Sequence, residues 1–223
     1  MKPFETLAET TTAEGRRLTL HRHDVDFFIH LEGDELMSTR RYHSESVLAA
    51  AALEELGTIA RPRVLIGGLG LGYTLRAALD VFPKDGQIVV AELFPAVVDW
   101  NRKYIDPTAE ALEDPRVEIV ERDVRAVILD ANRGFDAILL DVDNGPSAWC
   151  LKSNGRLYGS EGIAAIRRAL RPQGVLAVWS AFRDPAFVKL LEKGGFSARA
   201  DTVRARGAKG AKHTIFLAKV RRS

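Results

Sequence analysis

The pattern of apolar residues from residue 63 onward constrains the fold more than any other feature of the sequence. Short apolar segments alternate with segments of helical periodicity, and the segment 135–140 is almost continuously apolar, as in a strand buried on both faces. Repeated βα units imply a parallel sheet with right-handed crossovers. The predicted strands are 64–66, 87–92, 117–120, 135–140 and 175–179, followed by an antiparallel pair over 196–203 and 213–220. The predicted helices are 73–82, 96–104, 124–131, 161–170 and 185–193.

The first 43 residues have a different pattern. The segments 18–23, 26–31 and 35–39 are short and extended, with turns between them, which predicts a small antiparallel β-hairpin or meander. Ser44 is a candidate N-cap for an Ala- and Leu-rich helix that ends at Gly57. We therefore expect an N-terminal β element over 1–43 and an α/β domain over 44–223.

Composition excludes several classes of function. A chain of 223 residues with a net charge of +2 can form one core and has no general attraction for nucleic acid. The basic run over 204–212 is interpreted as a solvated loop. With a single cysteine and scattered histidines, the chain is expected to have neither an internal disulfide nor a metal site. It contains no stretch of about 18 apolar residues, so no membrane span is expected. The expected location is cytoplasmic.

A glycine-rich loop follows the first strand of the α/β region. Glycine lets a backbone turn sharply and approach a ligand, while amides at the start of the next helix face that ligand. The positions concerned are Gly67, Gly68, Gly70 and Gly72. Their Gly-x-Gly-x-Gly spacing differs from the Gly-x-Gly-x-x-Gly of dinucleotide sites, which disfavours an NAD-linked oxidoreductase. It resembles motif I of class I AdoMet-dependent methyltransferases, which implies a Rossmann-like seven-stranded sheet flanked by helices.

Two acidic residues end the following strands. Glu92 lies roughly twenty residues beyond the loop, where a carboxylate can accept hydrogen bonds from both ribose hydroxyls. Asp123 ends the third strand, where this superfamily commonly places an acid near the adenine amino group, although a plain helix N-cap is the alternative. Both residues are predicted to bind the nucleoside cofactor.

The fourth strand leads into a polar turn, Asp-Val-Asp-Asn-Gly-Pro. Open α/β sheets bind ligands at this edge, so Asp141 is the candidate catalytic residue: it would accept a proton from an attacking amine. Asp143 and Asn144 are candidate substrate-binding residues, and Trp149 and Tyr158 are candidate walls of the acceptor pocket. The alternative for these residues is a purely structural turn and its cover.

Taken together, these motifs resemble the spermidine synthase family of polyamine aminopropyltransferases, and in particular a short bacterial subgroup. The matching segments are 42–45 (Tyr-His-Ser-Glu), 64–66, 90–92, 114–117, Asp123, Asp141, 145–146 (Gly-Pro) and 157–158 (Leu-Tyr). The resemblance implies that the chain uses decarboxylated S-adenosylmethionine, or S-adenosylmethionine itself, as co-substrate for an amine acceptor. It also implies substrate contacts by Tyr42 and His43, and a homodimer.

The sequence departs from that family at three positions. Leu71 stands where the family loop has an Asp that faces the amine of the aminopropyl group, and Asn144 replaces a second Asp. The family's upstream substrate-site Gln is replaced by Met37 or a neighbour. An AdoMet-dependent methyltransferase acting on a small molecule or RNA is therefore an alternative. A nucleoside-binding module without catalytic activity is another.

Overall fold

The computed structural model describes residues 4–40, 43–141, 156–206 and 209–222. The strands are β1 (Glu5–Thr11), β2 (Arg17–His23), β3 (Asp26–Leu31), β4 (Asp34–Ser38), β5 (Arg63–Gly67), β6 (Gln87–Ala91), β7 (Val117–Val120), β8 (Phe135–Leu140), β9 (Leu170–Ser180), β10 (Phe196–Arg206) and β11 (Lys209–Val220). The helices are α1 (His43–Leu56), α2 (Tyr73–Val81), α3 (Pro95–Tyr104), α4 (Asp106–Leu112), α5 (Val124–Asp130), α6 (Ser160–Ala169) and α7 (Pro185–Lys193).

Seven strands form the main sheet in the order β10-β11-β9-β8-β5-β6-β7. The five strands from β9 to β7 are parallel, and β11 pairs antiparallel with both β9 and β10. The chain runs outward from β5 through β6 to β7 and then returns to β8 on the other side of β5. The carboxyl ends of β5 and β8 therefore form a topological switch point, which is where open α/β sheets bind ligands.

Both faces of this sheet are covered by apolar side chains. Val64 and Ile66 of β5 belong to one apolar cluster, which also contains residues of α1 to α4. Leu65 of the same strand belongs to the second cluster, on the side of α5, α6 and α7. Successive residues of a strand point to opposite faces, so a strand covered on both sides is apolar at nearly every position.

The N-terminal sheet, β1 to β4, is antiparallel and packs on the first of these clusters. Alternate residues of its two central strands, Leu18 and Leu20 in β2 and Ile29 and Leu31 in β3, are buried in the same cluster as Val64. The division of the chain at residue 43 remains a proposal, since the two sheets share one core. The loop after β5 therefore lies close to residues of the N-terminal sheet.

The predicted fold class, a seven-stranded Rossmann-like α/β sheet with a small N-terminal β element, is confirmed. Two elements were missed. The strand β1 is polar, Glu-Thr-Leu-Ala-Glu-Thr-Thr, because it is an edge strand with much of its surface exposed. The helix α4 is only seven residues long and contains a proline near its start.

The loop predicted over 204–212 is wrong for the described residues of that segment. The ladder of β10 and β11 continues through the pairs Arg204–Lys212 and Arg206–Lys209. Arg204 and Lys212 are exposed, so water screens the charges that face each other across this hairpin.

Two features are absent from the described residues. Within them, no helix is long and apolar enough to cross a membrane. The same residues contain no group of three or more His, Cys, Asp or Glu side chains arranged to hold a metal ion.

Candidate active site

The glycine loop adopts a conformation that other residues rarely reach. Gly68, Gly70 and Gly72 all have positive φ values, of 85°, 53° and 78°. A Cβ atom on Gly70 would lie 2.4 Å from Sδ of Met37, and one on Gly72 would lie 2.2 Å from Cγ2 of Thr108. Gly70 and Gly72 are therefore required by close packing against β4 and α4 as well as by backbone geometry.

Glu92 follows β6 and is bonded directly to the glycine loop. Its Oε2 accepts a 2.8 Å hydrogen bond from the backbone N–H of Leu69, and its Oε1 accepts a 2.9 Å bond from the N–H of Phe94. Glu92 is 6% exposed, and burial raises the pKa of its carboxyl, against the lowering effect of the backbone N–H groups of Phe94, Leu69, Gly70 and Leu93. A carboxylate has about four lone-pair sites. The N–H groups of Leu69 and Phe94 use two of these sites, and the ribose contact of Glu92 stays a prediction.

Asp141 lies at the switch point, immediately after β8. Its backbone N–H donates to the carbonyl oxygen of Gly67 at 3.1 Å, which places it beside the start of the glycine loop. Its Oδ2 accepts a 2.8 Å hydrogen bond from the hydroxyl of Thr74. Burial of the carboxyl raises the pKa of Asp141 to about 6, and the hydrogen bond from Thr74 opposes this rise. A carboxyl group with this pKa is ionised at neutral pH and can accept a proton.

Asp123 has a structural partner in this conformation. It is the N-cap of α5, and its Oδ1 accepts a 2.8 Å hydrogen bond from the N–H of Arg125. This is the arrangement of the alternative that the sequence left open. The adenine contact of Asp123 stays a prediction.

The candidate residues of the acceptor site are mostly outside the described part of the chain. Tyr42, Asp143, Asn144 and Trp149 lie there, and of His43 only the helical backbone is described. Tyr158 is 4% exposed, and its ring packs edge to face against Phe187 of α7 at a centroid distance of 5.8 Å. Its contact with an acceptor stays a prediction.

Four residues that touch this region were not among the predicted site residues. Met37 accepts a hydrogen bond at its Sδ from the N–H of Leu71, at 3.1 Å. Asn101 and Thr108 bind backbone carbonyls of the loop, and Thr74 binds Asp141. The sequence marks Met37 only as a departure from the family pattern. Thr74 could have been identified from its position at the start of the helix that follows the loop. Nothing in the sequence distinguishes Asn101 or Thr108 as site residues.

A Rossmann-like sheet carries, at one edge, the glycine loop, the Glu92 carboxylate bound to it and the Asp141 carboxyl beside it. These features define a protein of the AdoMet-methyltransferase architecture, with its candidate ligand site at the switch point of the sheet.

Comparison with known proteins extends this description. Residues 50–185, more than half of the chain, match the family described as "Spermine/spermidine synthase domain". The chain therefore belongs to the spermine/spermidine synthase family, as the sequence motifs predicted.

Relatives of two kinds are similar in sequence. A polyamine aminopropyltransferase of Oceanobacillus iheyensis is 28% identical over 182 residues, which are 78% of this chain and 33% of that protein. A polyamine aminopropyltransferase of Mycobacterium tuberculosis is 33% identical over 73% of this chain and 30% of its own. Putrescine N-methyltransferase 1 of Nicotiana tabacum is 36% identical over 125 residues, which are 54% of this chain and 31% of that protein. The matched region thus spans about a third of the length of each of these relatives.

Solved structures support the fold. Spermidine synthase from Thermotoga maritima superposes with a TM-score of 0.76 at 21% identity, covering 96% of this chain and 72% of that one. A spermidine synthase in complex with the transition state analogue AdoDATO superposes with a TM-score of 0.75 at 20% identity, with the same coverage.

Proposed function

We propose that this protein transfers an alkyl group from an AdoMet-type sulfonium nucleoside to an amine. The observation that carries the proposal is the position of Asp141, a carboxyl group with a pKa of about 6 beside the start of the glycine loop. Glu92, already bonded to that loop, supplies acceptor sites for the ribose hydroxyls. The relatives support alkyl transfer to an amine, because they include aminopropyltransferases and N-methyltransferases.

In the proposed reaction, the amine nitrogen forms a bond to the carbon attached to the sulfonium. The carbon–sulfur bond breaks, and its electron pair stays on sulfur, which leaves as a neutral thioether. The nitrogen then carries an excess proton, and the carboxylate of Asp141 accepts it. The sulfonium supplies an activated electrophile, so the protein mainly needs to align the two reactants and take up this proton.

The donor that fits the loop best is S-adenosylmethionine, which gives methyl transfer. Leu71 is 1% exposed and packs in the first apolar cluster. It therefore places no carboxylate at the position where the family's aminopropyltransferases have an Asp facing the amine of the donor. Both donors carry an ammonium group, but only S-adenosylmethionine has a carboxylate on the same carbon to balance it. An ammonium without a partner in a cleft is unfavourable, so the absence of the Asp should weaken binding of the decarboxylated form more.

Aminopropyl transfer is the second candidate. It is favoured by the family match over residues 50–185 and by the aminopropyltransferases among the relatives. Asp141 would serve the same role in either reaction, because both release a proton from the acceptor nitrogen.

The nucleoside specificity can be measured by thermal shift and calorimetric titration. The ligands to compare are S-adenosylmethionine, its decarboxylated form, methylthioadenosine and NAD. We expect the first three to raise the midpoint of unfolding, S-adenosylmethionine more than its decarboxylated form, since ligands that bind the native state stabilise it. Stabilisation by NAD alone would overturn the proposal. Stronger binding of the decarboxylated form would establish the second candidate.

Turnover with an amine acceptor tests the chemistry. Putrescine is the first acceptor to try, because it is named among the substrates of the relatives. We expect Asp141→Asn to lose at least about 100-fold in turnover while it still binds methylthioadenosine. A variant with full turnover would remove Asp141 from the mechanism. Nucleoside binding without turnover on any amine would favour the catalytically inactive module.

Two further expectations concern partners. An RNA acceptor would make binding weaken steeply with salt through the basic hairpin of β10 and β11, whereas a small amine would not. A homodimer, which the family resemblance implies, can be tested by light scattering coupled to size-exclusion chromatography.

A further inference from the structure

Two buried side chains behind the glycine loop bind consecutive carbonyl oxygens of the loop. Nδ2 of Asn101, on α3, donates a 2.8 Å hydrogen bond to the carbonyl of Gly70. The hydroxyl of Thr108, on α4, donates a 2.9 Å bond to the carbonyl of Leu71. Both residues are 0% exposed. We call Asn101 and Thr108 the loop clamp.

The orientation of the Asn101 amide is fixed by its partners. Nδ2 also donates to the carbonyl of Val97, at 2.8 Å. Because both partners are acceptors, the NH₂ group must face them and the amide oxygen must face away. That oxygen, Oδ1, is buried and has no hydrogen-bond partner in the described structure.

An unpaired buried acceptor is unfavourable for folding. An apolar side chain at this position on α3 would avoid that cost, although it would leave the Gly70 carbonyl without its side-chain donor. The presence of Asn101 is therefore better explained by what it does to the loop than by a contribution to stability.

The clamp determines which way the loop amides face. In a trans peptide, the C=O and the N–H point in opposite directions. With the carbonyl of Gly70 held toward α3, the N–H of Leu71 points away from α3, where it meets Sδ of Met37 at 3.1 Å. A thioether sulfur is a weak acceptor, so this N–H can still serve a stronger acceptor on a ligand.

We infer that Asn101 is a positioning residue for the donor nucleoside: it holds the Gly70–Leu71 peptide with its N–H directed to the ligand side of the loop. This inference rests on the proposed function for the identity of the ligand. The orientation of the loop in the free protein does not depend on that identity.

The test compares Asn101→Leu with Val98→Ala. Val98 is a fully buried residue of the same helix and has no side-chain hydrogen-bonding group, so its truncation reports general destabilisation of α3. The first measurement is amide hydrogen exchange over residues 67–72 in the free protein. We expect exchange in Asn101→Leu to be at least about tenfold faster than in Val98→Ala at equal global stability.

The second measurement is the dissociation constant of methylthioadenosine by calorimetry. We expect it to rise about tenfold in Asn101→Leu and less than twofold in Val98→Ala. Equal exchange and equal affinity in the two variants would overturn the inference. If the wild type bound none of the nucleosides, the proposed function would fail with the ligand part of the inference, and exchange alone would decide whether Asn101 orients the loop.

Discussion

The hydroxyl of Thr74, in the first turn of α2, donates a 2.8 Å hydrogen bond to Oδ2 of Asp141, directly after β8. This bond joins the helix that follows the glycine loop to the strand end that carries the proposed base. A hydroxyl that donates to a carboxyl oxygen stabilises the ionised form, whereas burial favours the protonated form. In Asp141 the effect of burial is the larger one, and its pKa rises to about 6.

The first prediction concerns the pH dependence of turnover. Because only the ionised carboxylate accepts a proton, we expect kcat to rise with pH through about 6 and to level off above it. Thr74→Val removes the hydrogen bond that favours ionisation, so the midpoint of this rise should move to higher pH. Thr202→Val, at an exposed position of β10, should leave the midpoint unchanged. An unshifted profile in Thr74→Val would mean that another group controls the acid limb.

The second prediction concerns stability. The folded-state pKa of Asp141, about 6, lies above the ordinary aspartate value of 3.8, so the folded state binds this proton more tightly than the unfolded state does. Its contribution is therefore fully present below pH 3.8 and is lost as pH rises from there through about 6. Asp141→Asn removes the buried charge, and we expect it to raise Tm by about 2 to 6 °C at pH 8.

Calorimetry or circular dichroism at two pH values tests this prediction. The gain in Tm from Asp141→Asn should shrink on going from pH 8 to pH 5, because the wild-type carboxyl is largely protonated at the lower pH. A gain of the same size at both pH values would show that the carboxylate charge is not its cause.

The third prediction concerns Glu92. In the wild type, the two carboxylate oxygens of Glu92 accept hydrogen bonds from the N–H groups of Leu69 and Phe94. Glu92→Gln replaces one of these oxygens by an NH₂ donor. One backbone donor then faces another donor, and a ribose loses an anionic acceptor. We expect the dissociation constant of methylthioadenosine to rise at least about 30-fold.

Glu118→Gln is the matched control for this substitution. Glu118 lies on the adjacent strand β7 and is exposed, so its variant should bind methylthioadenosine like the wild type. Wild-type affinity in Glu92→Gln would exclude the ribose contact.

The sequence predicted the parts of the structure that depend on local pattern. The strand Phe135–Leu140 is apolar at every position except Asp136, and the structure gives it those same bounds because it is covered on both faces. The placement of Gly68, Glu92 and Asp141 at one edge of the sheet followed from the rule that parallel strands bring their carboxyl ends together.

The parts that were not predicted depend on contacts between distant segments. Asn101 lies 31 residues from Gly70, and Thr108 lies 37 residues from Leu71. On a helix, a single Asn or Thr shows no periodicity that distinguishes a buried loop contact from an ordinary surface position. The edge strand β1 was missed for a related reason, because its polar residues are those of a strand with much of its surface in water.

The final prediction separates backbone strain from close packing at the glycine loop. Gly57 and Gly72 have nearly the same φ, 80° and 78°, but a Cβ on Gly57 meets nothing within 4 Å, whereas one on Gly72 would lie 2.2 Å from Cγ2 of Thr108. Gly57→Ala should therefore lower the free energy of unfolding by about 1 kcal/mol, from the left-handed backbone alone. Gly72→Ala should lower it by about 2 to 5 kcal/mol, because the new Cβ would also lie 2.5 Å from Oγ1 and 2.9 Å from Cβ of the buried Thr108.

Urea unfolding of the two variants and of the double variant Gly72→Ala/Thr108→Ala measures the two contributions. Truncation of Thr108 removes Cγ2 and the hydroxyl but keeps its Cβ, 2.9 Å from the new Cβ, so the double variant should recover most of the loss that comes from the clash, less the hydrogen bond to Leu71. If Gly57→Ala and Gly72→Ala lowered the free energy of unfolding equally, Thr108 and α4 would move aside at little cost. The loop clamp would then be too flexible to fix the direction of the Leu71 amide.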